Sequence, residues 1–139
     1  MMPAEIERIV RQNDIKYVLA QFVDIHGVAK TKSVPANCLM DLWARQHLGQ
    51  PFDEGGHWAA SAAPDPALLG RLSDDPYFRH PPPKSTGTQH FSRQWLQQRL
   101  GQFGSPKPEV IQATLLALTV GTVVDAIELF ANDCRRVLV

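Results

Sequence analysis

The sequence predicts an α/β chain with more helix than strand, in which an N-terminal helix and β-hairpin precede a helical body. Three observations predict it. Residues 15–34 hold two apolar, strand-like runs on either side of the turn residues Asp24-Ile25-His26-Gly27. Residues 109–130 form one long apolar run whose polar positions Gln112, Thr119, Thr122 and Asp125 make a narrow stripe at helical spacing. That stripe predicts a helix buried around most of its circumference. At 139 residues, 44% apolar and 20% charged, the chain matches one ordinary domain able to bury a core, which excludes wholesale disorder.

Each element follows from local chemistry. Pro3, with Glu5 and Glu7 in the first turn, opens a short helix that ends near Asn13-Asp14. Residues 15–25 carry apolar side chains on both faces, Tyr17, Leu19 and Val23 against Val18, Ala20 and Phe22, as a strand covered on two sides does. Gly27 is free to take positive φ, and residues 28–34 return as a second strand with Lys30 and Lys32 on a solvent face. Two strands alone are marginal in water, so this unit needs something to pack on.

Asn37 is the expected N-cap of a helix over residues 38–48, with Asp41 early in it, Gly49 as its stop and Leu39, Leu42 and Trp43 as its apolar face. Residues 50–56 read as a loop, and residues 58–63 are ambiguous. Pro64-Asp65-Pro66 begins a short helix through Leu72. Asp75-Pro76-Tyr77-Phe78 leads into His80-Pro81-Pro82-Pro83-Lys84-Ser85-Thr86-Gly87, a rigid extended segment and then a turn. Residues 91–100 read as a helix capped by Ser92, with Trp95 and Leu96 turned inward. After a loop at 101–108 and the long helix, residues 136–139 look like the start of a strand.

Composition narrows the function classes. Lys+Arg and Asp+Glu number 14 each, so no basic excess exists to neutralise phosphates and no nucleic-acid partner is expected. Cys38 and Cys134 have no metal-ligand spacing and read as buried, reduced thiols of a cytoplasmic protein. The five histidines are scattered, which gives no metal motif. The N-terminus lacks the apolar core of a signal peptide. Residues 113–130 approach membrane-span length, but Asp125 and Glu128 interrupt them, and a buried helix without a membrane is the expectation.

Two resemblances meet at Pro35-Ala36. Four motifs, PANCLMD (35–41), GQPFDEGGHWAA (49–60), DPYFRHPPPKSTG (75–87) and VIQATLLALT (110–119), fall in the order and spacing of anhydro-N-acetylmuramic acid kinase, so that residues 35–139 resemble its C-terminal half. The resemblance implies a partial lobe of the sugar-kinase/Hsp70/actin-like (ribonuclease H-like) fold, and a family that opens and phosphorylates a recycled cell-wall sugar with ATP and Mg. AQFVDIHGVAKTKSVPA, within residues 1–36, resembles the opening hairpin of the glutamine synthetase family, especially its γ-glutamylmethylamide synthetase branch. The domains expected are therefore 1–36, synthetase-like helix and hairpin, and 37–139, the kinase-like partial lobe.

The departures from the kinase pattern set the functional expectation. The family's loop reads Asp-Thr-Gly-Pro, a small residue, then Asn, and its aspartate is the implied general base toward the attacking water. The corresponding positions here are Lys32, Ser33, Val34, Pro35, Ala36 and Asn37. A lysine, protonated near neutral pH, cannot take that proton. Neither of the family's glycine-bearing phosphate turns is found within the chain. No catalytic, cofactor or metal residue is therefore assigned, and Asn37 and Asp41 are the remnant of the substrate loop.

Lys84-Ser85-Thr86-Gly87 lacks P-loop spacing and reads as a structural turn, while Asp24 and His26 read as hairpin-turn residues. The expected protein is a truncated, inactive relative of the sugar kinase. The alternatives are a glutamine-synthetase-like ligase fragment, forming amides on glutamate with ATP, and a non-catalytic association fragment. Zero net charge and an exposed lobe surface predict self-association through apolar contacts rather than ion pairs.

Overall fold

The structure is a computed structural model, and it describes residues 19–23, 29–33, 35–81 and 90–130. The chain divides into two compact units, one over Met1–Val34 with Arg136–Val139 and the other over Pro35–Arg135. In the first unit, β1 (Leu19–Val23) and β2 (Ala29–Ser33) pair antiparallel with Leu19 opposite Ser33 and Phe22 opposite Lys30. A hairpin is what the sequence predicts, and the remaining residues of its two expected strands lie outside the described residues. The expected N-terminal helix, the turn at 24–28, residues 82–89, Cys134 and the strand at 136–139 lie outside the described residues.

The second unit is helical. Its elements are α1 (Pro35–Leu48), α2 (Pro66–Ser73), α3 (Pro76–Arg79), α4 (Arg93–Leu100) and α5 (Pro108–Phe130), with short 3₁₀ turns at Glu54–Gly56 and Ala59–Ser61. No strand occurs beyond residue 60 among the described residues.

α1 begins at Pro35, not after Asn37. Proline is preset for the first helical position, where its missing N–H costs nothing, so the helix starts there and Asn37 lies inside the first turn rather than capping it. Asp41 consequently falls in the second turn. Gly49 ends the helix at φ 69°, a left-handed conformation that suits glycine. Asp65 and Asp75 cap α2 and α3 through their carboxylates, each with proline at the next position, and Ser92 caps α4 by accepting from the Trp95 amide.

These caps aim the helices at one core. Leu39 and Trp43 of α1, Leu68 and Leu72 of α2, Phe91, Trp95 and Leu96 around α4, and Ile111, Leu115 and Leu118 of α5 form a single buried cluster. Burial of each large side chain contributes about 1.5–3 kcal/mol. α1 packs on α5: the Trp43 indole donates to the Pro108 carbonyl at 2.9 Å, and Met40 lies against Thr119. On the other side of α5 the Asp65 amide donates to Thr114 Oγ1 at 3.0 Å, which fixes the start of α2.

Three expectations fail here. Leu42 is 43% exposed, at the open edge of the apolar face that Leu39 and Trp43 bury. Cys38 is half-buried rather than buried, and it is unpaired. The polar stripe of α5 does not mark its solvent side. Gln112 and Thr119 are buried with Thr114, while Leu116, Val120 and Leu129 are exposed. The threonines turn inward because each hydroxyl donates to a carbonyl of its own helix, Thr114 to Val110, Thr119 to Leu115 and Thr122 to Leu118. α5 is long and apolar enough to cross a membrane, but its first half is packed inside this unit.

Candidate functional site

The substrate-loop residues named from the sequence are not gathered into one site. Lys32 lies in β2 opposite Ala20, in the first unit, whereas Asn37 and Asp41 lie one turn apart along α1 in the second. Asp41 is half-buried. Burial raises its carboxyl above the usual range, and Arg45 one turn later offsets part of that rise. A half-buried acid beside a single arginine is a helix-surface pair, and no described acid, histidine or lysine meets it to complete a proton relay.

The strongest polar constellation is elsewhere, at Asp75, which is 3% exposed. Its Oδ1 accepts from the Tyr77 amide at 3.0 Å and meets His90 Nε2 at 3.1 Å. Its Oδ2 accepts from Trp95 Nε1 at 2.8 Å and from Arg99 Nη2 at 3.0 Å. Burial pushes the carboxyl up, but the bonds from Trp95, the Tyr77 amide and His90 outweigh it and hold the group below the usual carboxylate range. Arg99 also donates to the Arg71 carbonyl at 2.8 Å and lies over the Trp95 ring. A carboxylate with both oxygens doubly engaged and kept ionised is a structural anchor and a poor general base. It joins α2, α3 and α4.

Sequence reasoning passed over Asp75 because its partners stand 15, 20 and 24 residues away. The available signal was local: Asp75-Pro76 repeats the Asp65-Pro66 helix start. Asp53 plays a similar part on a smaller scale, its carboxylate accepting from the amides of Trp58 and Ala59, both at 2.9 Å. That clamp follows the left-handed Gly55 and Gly56 of the DEGG turn and places Trp58 beside His47, whose ring in turn meets that of Trp43 at a tilt of 47°.

A groove of about 260 Å³ between α1 and α4 is lined by Leu39, Leu42, Trp43, Arg45, Gln46, Arg93 and Leu96. It offers an apolar floor and two cations, with no glycine turn to cradle a triphosphate. Among the described residues no group of three His, Cys, Asp or Glu is placed to hold a metal ion. The described residues therefore do not fit magnesium–ATP. The sequence Lys84-Ser85-Thr86-Gly87 lies outside them.

A family profile described as AnmK, anhydro-N-acetylmuramic acid kinase, matches residues 26–139. The chain belongs to the anhydro-N-acetylmuramic acid kinase family. It is 51% identical over 105 residues to the anhydro-N-acetylmuramic acid kinases of Burkholderia thailandensis and Burkholderia mallei, and 48% identical to that of Burkholderia cenocepacia. Each alignment covers 76% of this chain, and the chain spans only 27–28% of the length of those relatives. The kinase-family match begins at residue 26, inside the segment likened to the synthetase hairpin, so it takes in β2 and Lys32 as well as the whole helical unit.

Proposed function

We propose that this chain carries the helical body of the second lobe of an ATP-dependent anhydro-N-acetylmuramic acid kinase, a cytoplasmic enzyme that opens and phosphorylates a recycled cell-wall sugar. In this reading the lobe has the sugar-kinase, ribonuclease H-like fold, and ATP with Mg is bound by parts of the enzyme other than the described residues. The observation that carries the reading is the family match over residues 26–139, supported by a helical unit with one continuous core. The 139-residue polypeptide does not turn over substrate, because Lys32 stands where the resemblance places the general-base aspartate. Asn37 and Asp41 line the substrate loop and do no proton transfer. The hairpin of β1 and β2 is synthetase-like in sequence and serves as an accessory unit, without ligase chemistry.

Two grafts test this. Residues 35–139 are placed in the Burkholderia thailandensis kinase in place of its matching segment, and residues 26–139 in a second chimera. The first is expected to phosphorylate 1,6-anhydro-N-acetylmuramic acid. The second, which brings Lys32, is expected to lose at least about a hundredfold in rate, the usual weight of a general base. Failure of the first chimera, when folded, would overturn the lobe assignment, and full activity of the second would overturn the role given to Lys32.

A further inference from the structure

We draw no further inference here: the strongest candidate, the apolar groove between α1 and α4 with Arg45 and Arg93 beside it, carries nothing because nothing in the structure shows what covers it in a chain that spans 27–28% of the length of its relatives.

Discussion

The two halves of α5 share one helix and live in opposite surroundings. From Ile111 to Thr119 the helix buries Ile111, Gln112, Ala113, Thr114, Leu115, Leu118 and Thr119, whereas from Val120 to Leu129 no residue is buried. The first half is the strut against which α1, α2 and the Ala59–Ser61 turn pack. The second half keeps the same apolar character, yet Thr122, Val123, Val124, Ala126 and Ile127 are only half-buried and the others from Val120 to Leu129 are exposed. Hydropathy is therefore a poor guide to which half is core. What separates them is where the neighbouring helices end, and those ends are set by caps and stops such as Asp65 and Gly49 rather than by the composition of α5.

The sharpest break of the buried half goes through its support rather than through α5 itself. Asp75→Ala leaves the Arg99 guanidinium and the Trp95 indole without their carboxylate, and is expected to cost about 3–5 kcal/mol in urea unfolding. The same group sets an acid limit. Because its pKa is lowered on folding, its contribution is present above the unfolded value and is lost as pH falls through the folded one. The unit should therefore lose stability below about pH 4, and the Asp75→Ala variant should lose less over that range.

Next in size is Leu115→Ala, expected to cost about 2–5 kcal/mol because Leu115 is fully buried. Gln112→Leu sharpens the comparison in the other direction. Both atoms of the Gln112 side-chain amide are buried without a hydrogen-bond partner among the described residues, so replacing it with an apolar side chain of similar size should stabilise by about 1 kcal/mol. The smallest effect belongs to the open half: Val120→Ala should move the unfolding midpoint by about 0.5 kcal/mol or less. A cost for Val120→Ala as large as that for Leu115→Ala would erase the distinction between the halves.

Much of this was legible in the sequence, wherever the signal was local. Ser92, Asp65-Pro66 and Gly49 announce helix ends through their own side chains or backbone, and the structure places caps or stops at each. Asn37 misled because it is a good cap two residues after a better start, the proline at 35. The α5 stripe misled because threonine counts as polar by composition, yet its hydroxyl is satisfied by the helix it belongs to. α3 went unread because four residues give no period, and the Pro-rich run after it suggested extended chain. Of the candidate site, the family was legible from ordered motifs. Asp75 was not, since its hydrogen-bonding partners come together only once the helices are packed.

The placement of the indoles gives this chain a built-in optical reporter. All three tryptophans, Trp43, Trp58 and Trp95, belong to the Pro35–Arg135 unit, and the Met1–Val34 segment has none. Two of the rings donate their N–H to fixed acceptors, Trp43 to the Pro108 carbonyl and Trp95 to Asp75. Tryptophan emission therefore reports from the helical unit, while far-ultraviolet dichroism follows both. Emission and dichroism that change together mark one cooperative transition, and any gap between them measures how far the two units melt apart.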